Sequence, residues 1–340
     1  MRRYIGIGAL ALLALVSLPS NLAPARAASH GPHKQAPHIR PFTVWLDWYP
    51  NSDHVGIYVA MAKGYYTRAG LGVQARVPSG AADALKLVTH GSGDIAISYE
   101  TSVLLARAQG LPVVDTASIV QQPLNCVLTL KSSGITRPRQ LQGKTVGIAG
   151  VASDYTDLAA VVRDDGGNPH KVKPVVVSYA LLDGLLGKRV DAIEGAYWTW
   201  EALQAEQSGH HVNVMRLDHY GVPPYDELVF ATGQAQIQVE SASLRAFQQA
   251  TFQGYAYAIA HPAEAARILL KAPGVLSSSA SLIEHSIRLL SPLFHDKSGH
   301  YGAMSVKTWQ TYANWLTRNH LASHHLDAQA ALSSTLLPSQ

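Results

Sequence analysis

Within eight residues this chain places a carboxylate, an indole, an amide, a second carboxylate and an imidazole: Asp47, Trp48, Asn51, Asp53 and His54. Such a set can stack on a planar ring and exchange hydrogen bonds with its edge. It suits a small, polar, nitrogen-rich molecule. The same residues also suit a capped turn, because Asn51 and His54 can close the start of the helix that follows. Further along, Ser98 and Tyr99 end an apolar strand, and Gln121 and Gln122 end the next. Only one of the two glutamines can face inward, and Gln122 is taken as the candidate. Tyr99 offers a ring for stacking.

A second group lies between residues 150 and 201. Gly150-Val-Ala-Ser-Asp154 links a strand to a helix, where free backbone N–H groups suit a carbonyl or anionic oxygen, or an ordinary cap by Ser153 or Asp154. In Glu194-Gly-Ala-Tyr-Trp-Thr-Trp-Glu201, Glu194 ends an apolar strand, and a carboxylate there is costly unless paired. A carboxylate there can accept an amino hydrogen from a planar, nitrogen-rich ring. Tyr197 or Trp198 would supply a second stacking face, and Glu201 would lie either in the site or on the helix surface. The candidate ligand-binding set is therefore Trp48, Asn51, His54, Ser98, Tyr99, Gln122, Asp154, Glu194, Tyr197 and Trp198.

Other chemistries find less support. His320, His324 and His325 have chelating spacing, but no acid or cysteine completes a set, so a solvated helix end is expected and no metal. The single cysteine, Cys126, sits in an apolar strand and reads as a small core residue. No phosphate loop, dinucleotide fingerprint or catalytic triad is present, and no cofactor is called for.

The elements that must position these residues alternate. Strands are expected at 43–48, 73–77, 94–98, 113–120 and 127–130, with helices at 54–63, 81–89 and 100–108 between them. The pattern then restarts: strands at 145–149, 175–178, 191–195 and 213–217, helices at 154–164, 181–186 and 198–207. After a strand at 228–231 the chain turns helical, at 242–260, 262–271, 279–290 and 306–319. Strand–helix alternation implies mainly parallel sheets. Two series imply two lobes: one from 42–130 plus 231–330, the other from 131–230. The chain would cross near 128–131 and 228–233, with a ligand in the cleft between the lobes.

The amino terminus reads as an export signal. Arg2 and Arg3 precede an apolar run from Ile5 to Leu18, and Ala25-Arg26-Ala27 is a small-x-small cleavage pattern. A cleaved signal at 1–27 and a disordered leader at 28–41 are expected, with no lipid anchor, since no cysteine follows the apolar run. Loss of Arg2, Arg3 and Arg26 takes the formal charge of +4 close to neutrality. Nothing then argues for nucleic acid or an anionic membrane surface. Charged residues are 15% of the chain and apolar ones 47%, enough for a large core.

Leu46-Asp-Trp-x-Pro-Asn-x-x-His-x-Gly-x-Tyr58 resembles the opening of a family that joins bacterial periplasmic thiamine-pyrimidine-precursor binding proteins to fungal thiamine pyrimidine synthases. Lys63-Gly-Tyr-Tyr66, Val88-x-x-Gly-x-x-Asp-Ile-Ala-Ile97, Gly110-Leu-Pro-Val113, Ile119-Val-Gln-Gln-Pro123, Leu141-x-Gly-Lys-x-Val-Gly147, Gly195-x-Tyr-x-x-x-Glu201 and Tyr220-Gly-Val-Pro223 extend the resemblance over about residues 43–235. It implies a two-lobed α/β periplasmic binding protein fold of type II with two crossovers. It also implies an exported, monomeric receptor that hands an aminopyrimidine to an ABC permease and its ATPase. Related receptors for riboflavin and alkanesulfonates share some of these segments, so another heterocycle or a sulfonate is an alternative ligand. An enzyme is the other alternative. The resemblance places the synthases' cofactor lysine and consumed histidine near Ser98 and Ser102, and their cysteine-rich run at 220–229, which here has no cysteine. Serine cannot form the Schiff base that lysine forms, so a non-enzymatic receptor is expected.

Overall fold

Apolar runs broken by glycine and proline fold into alternating strands and helices, and the computed structural model describes residues 39–275, 278–322 and 326–336. In chain order these are β1 (Arg40–Trp45), α1 (Val55–Ala62), α2 (Tyr65–Arg68), β2 (Leu71–Arg76), α3 (Ala84–Thr89), β3 (Ile95–Ser98), α4 (Glu100–Ala108) and β4 (Val113–Val120). There follow β5 (Asn125–Leu130), β6 (Thr145–Ile148), α5 (Ala152–Asp164), β7 (Lys173–Val176), α6 (Leu181–Leu186), β8 (Ala192–Tyr197), α7 (Glu201–Gln207) and β9 (Val212–Arg216). The last part comprises β10 (Leu228–Gly233), α8 (Gln234–Ala260), α9 (Pro262–Leu269), α10 (Ala280–Leu290), α11 (Val306–Arg318) and α12 (Ala328–Ala331).

The strands make two five-stranded sheets, ordered β2-β1-β3-β10-β4 and β7-β6-β8-β5-β9. In each, one strand that arrives from the other lobe runs antiparallel: β10 between β3 and β4, and β5 between β8 and β9. The remaining neighbours, β1 with β2 and β3, and β6 with β7 and β8, are parallel. This is the expected two-lobed α/β architecture.

The crossings lie earlier than the sequence pattern indicates. β5 belongs wholly to the second sheet, so the chain leaves the first lobe at residues 121–124; it returns at 217–227, and β10 belongs wholly to the first sheet. Both strands are buried on both faces, and an unbroken apolar run carries no mark of which sheet it enters. The expected leader also shortens. Arg40 and Pro41 open β1, and Pro41 is tolerated because β3 pairs only with Val44 and Trp45, leaving the proline end of β1 without a neighbour on that side. The rest of the leader and the export signal lie outside the described residues.

The helical tail completes the first lobe. α8 packs along α1 and begins at Gln234 rather than at 242, with a kink at Glu240. Phe247 on α8 stacks on Phe42 and Tyr66, with ring centroids 4.8 and 5.4 Å away. α10 reaches the second lobe, where Ser286 Oγ donates to the Thr199 carbonyl at 2.6 Å. Cys126 is fully buried in β5. Among the described residues no helix is long and apolar enough to cross a membrane, and no histidine, cysteine or acid cluster could hold a metal ion. His324 and His325 lie outside them.

Candidate functional site

The loops that follow β1, β3, β6 and β8, together with the starts of β5 and β10, meet between the lobes. Carboxyl ends of parallel strands are where open α/β sheets hold ligands. The narrow cavity they form is lined by Asp47, Trp48, Asn51, Tyr99 and Thr101 from the first lobe. The second lobe contributes Asn125, Ser153, Asp154, Asp157, Gly195, Tyr197 and Glu201, and the returning crossover adds Tyr225 and Glu227.

Asp47 is held from two sides. His54 Nε2 donates to its Oδ1 at 2.8 Å and the Tyr99 hydroxyl to its Oδ2 at 3.1 Å. His54 Nδ1 accepts the Asn51 backbone N–H at 3.3 Å, which assigns the imidazole proton to Nε2. The Asn51 side chain takes the Asp53 N–H at 2.8 Å, so it caps the turn and faces the cavity at once.

The second lobe presents its acids with few donors. Asp154 Oδ2 accepts the Gly150 and Val151 N–H groups at 2.6 and 3.0 Å, yet burial outweighs these bonds and pushes its pKa up to about 7. One turn on, Asp157 is fully buried with Oδ1 unpartnered, and burial, then Glu227 and Asp154, raise its pKa well above the usual carboxylate range. Asn125 Nδ2 donates to Glu194 Oε1 at 3.0 Å, while its Oδ1 accepts the Gly195 N–H at 3.1 Å. Glu194 Oε2 has no partner, and burial raises this group as well. Glu201 Oε2 accepts the Tyr197 N–H at 2.8 Å. Glu227 Oε2 gathers the Leu124 and Asn125 N–H groups at 2.7 and 2.9 Å and the Tyr225 hydroxyl at 3.0 Å. Burial lifts both Glu201 and Glu227 to about 7.

Of the ten candidates, Trp48, Asn51, Tyr99, Asp154 and Tyr197 line this cavity together. His54 and Glu194 sit directly behind it, acting through Asp47 and Asn125. Ser98 faces an adjoining groove. Gln122 lies on an exposed groove beside Leu293 and Lys297, because β4 ends two residues earlier and the chain has already turned toward the second lobe. Trp198 lies under the Arg216 guanidinium at 4.4 Å and donates to the Pro123 carbonyl, so Tyr197 alone of the pair faces inward. Sequence reasoning noted Asp47 in the opening turn but not among the ten candidates, and left out Thr101, Asn125, Asp157, Tyr225 and Glu227. Asp157 was within reach, since it stands three residues from Asp154 on one helix face. Glu227, immediately before an apolar strand, repeats the signal that singled out Glu194.

The arrangement is an acceptor-rich slot with aromatic walls. Five carboxylates line it, and no lysine, arginine or histidine does. It can receive N–H donors on a planar ring. An anion would enter without a counter-charge and lose its hydration.

The family model for NMT1/THI5-like proteins matches residues 51–265. A formylaminopyrimidine-binding protein from Halalkalibacterium halodurans is 32% identical over 295 residues, 86% of this chain and 89% of that one. The chain belongs to the NMT1/THI5-like family. Within this family it is also similar to a 4-amino-5-hydroxymethyl-2-methylpyrimidine phosphate synthase from Legionella pneumophila, 25% identical over 238 residues, 68% of this chain and 73% of that one. Among solved structures, the alkanesulfonate-binding protein SsuA from Xanthomonas axonopodis pv. citri, bound to MOPS, superposes with a TM-score of 0.71 at 14% identity. It covers 88% of this chain and 99% of its own, and that likeness is one of fold.

Proposed function

We propose that this member of the NMT1/THI5-like family is an exported solute receptor. Its lobes close on a thiamine-related aminopyrimidine and deliver it to an ABC permease and ATPase in the membrane. The observation that carries this reading is the lining itself: five carboxylates, four aromatic rings and no cationic side chain. An exocyclic amino group supplies the donor that Asp157 Oδ1 lacks, and Trp48, Tyr99 and Tyr197 supply faces for the ring. The similarity to a formylaminopyrimidine-binding protein supports the same ligand class. The fold neighbour's alkanesulfonate is disfavoured here, because no cation meets a sulfonate.

No bond is made or broken in this reading. Ser98 and Ser102 stand where the synthases' cofactor lysine and consumed histidine are expected, and 220–229 has no cysteine. Calorimetric titration of the purified protein with formylaminopyrimidine, hydroxymethylpyrimidine, riboflavin and an alkanesulfonate tests the proposal. The pyrimidines are expected to bind and to be recovered unchanged. Tight sulfonate binding, or a chemically altered pyrimidine, overturns it.

A further inference from the structure

The ring cavity does not stop at its aromatic wall. Asp47, Tyr99 and Val151 also border a second space of about 470 Å³ that runs between α3 and α4 beneath the start of α5. Its walls are aliphatic, formed chiefly by Ala84, Leu85, Leu105, Ala106, Leu111 and Val151. Alanine and glycine at 81, 82, 106, 110 and 150 keep it wide. From Ser102 to Gln109 it follows α4, a span of about 10 Å at the helical rise per residue. Exposed apolar surface of this extent beside a ligand cavity is a mark of a binding groove.

The inner end is where a substituent of a bound ring would emerge. Ser98 and Ser102 lie there, 5% and 8% exposed. The Ser102 hydroxyl reaches only Ser153 Oγ, at 3.4 Å. The outer end opens beside Lys86 and Gln109, both exposed to solvent. Most of the wall belongs to the first lobe, with only 150–152 from the second.

We propose that this groove receives an uncharged aliphatic arm carried by the ring ligand, so that the receptor accepts aminopyrimidines with extended substituents as well as short ones. The inference rests on the aminopyrimidine reading above. The two serine hydroxyls meet the polar link by which the arm joins the ring, and the alanine-lined stretch takes its methylenes.

The test is calorimetric titration of the full protein with 4-amino-2-methylpyrimidines whose 5-aminomethyl group carries acyl arms from formyl to hexanoyl. Each methylene that leaves water is expected to raise affinity by up to about fourfold until the groove is full. Ala106→Phe, which narrows the groove at α4, should keep the formyl affinity and abolish the gain from longer arms. Ala82→Trp, on an exposed loop position of the groove wall, should do the same without touching the core. Affinity that falls steadily with arm length in the unsubstituted protein overturns the inference, as do variants that weaken formyl and hexanoyl compounds equally. Failure of the formyl compound to bind overturns the ring reading itself, and this inference with it.

Discussion

Asp47 shows how a single side chain in the cleft is built. Its oxygens are spent on His54 and Tyr99, and His54 is in turn fixed by the Asn51 backbone. His54 is therefore a positioning residue. His54→Ala strands a buried carboxylate oxygen and is expected to cost about 1–3 kcal/mol of stability, read from a denaturation curve; His54→Gln, which retains a donor, should recover part of it. Trp48 differs because it is only partly buried, resting edge-on against Tyr179 with ring centroids 4.8 Å apart. Trp48→Ala should lower affinity for an aminopyrimidine by about ten- to a hundredfold, the worth of one stacking face. Its melting temperature should change little. A large stability loss with unchanged affinity would show the indole to be part of the core. Asp157→Asn keeps the shape but puts an amide N–H in place of one acceptor oxygen; loss of that hydrogen bond to the ring should cost about three- to tenfold in affinity by the same titration.

At the scale of elements, the site depends on where strands stop. β1 ends at Trp45, Leu46 N–H still reaches the Arg76 carbonyl of β2 at 2.8 Å, and the chain bends from Asp47 on, which sets Asp47 and Trp48 beyond the sheet edge. α1 and α8 hold that edge from behind, and they approach closely because both carry glycine at the crossing. A methyl group at Gly254 would run into the Gly56 carbonyl, and one at Gly56 into the Tyr255 ring. Gly254→Ala is expected to destabilise by about 1–3 kcal/mol through overpacking; unchanged thermal unfolding would mean the helices can separate at no cost. Most elements were legible from apolar runs and their glycine or proline boundaries: α4, α6 and β4 fall where the pattern puts them. What was not legible is which sheet a fully buried strand joins. β5 and β10 carry no alternation, and their membership is decided by partners far away in sequence, β8 with β9 and β3 with β4. The same limit separated Tyr197 from Trp198. Adjacent aromatic residues point to opposite sides, and only the cation of Arg216 on one of them shows which side faces in.

Across the whole molecule, the gathered acids give a stability profile of definite sign. Asp154, Glu201 and Glu227 are each lifted to about 7 by burial, and Asp226, where the second crossover is tied to Trp309, to about 6. In an unfolded chain such groups release their protons near pH 4. Between about pH 4 and 7 the folded state therefore holds protons that the unfolded state has lost, and stability must fall as pH rises through that window. Acids paired with a cation, such as Asp165, held below the usual range by Arg137, act oppositely, but only at the acid end as their own pKa is approached. The ligand-free protein is thus expected to melt at a higher temperature near pH 5 than near pH 7.5. Asp157→Asn, which replaces one acid of the cluster with a neutral amide, should flatten that slope. Melting curves at intervals of half a pH unit decide the matter. A melting temperature that is level, or that climbs, from pH 5 to 7.5 would mean that these acids are already charged in the folded cleft across that range and that burial does not hold their protons.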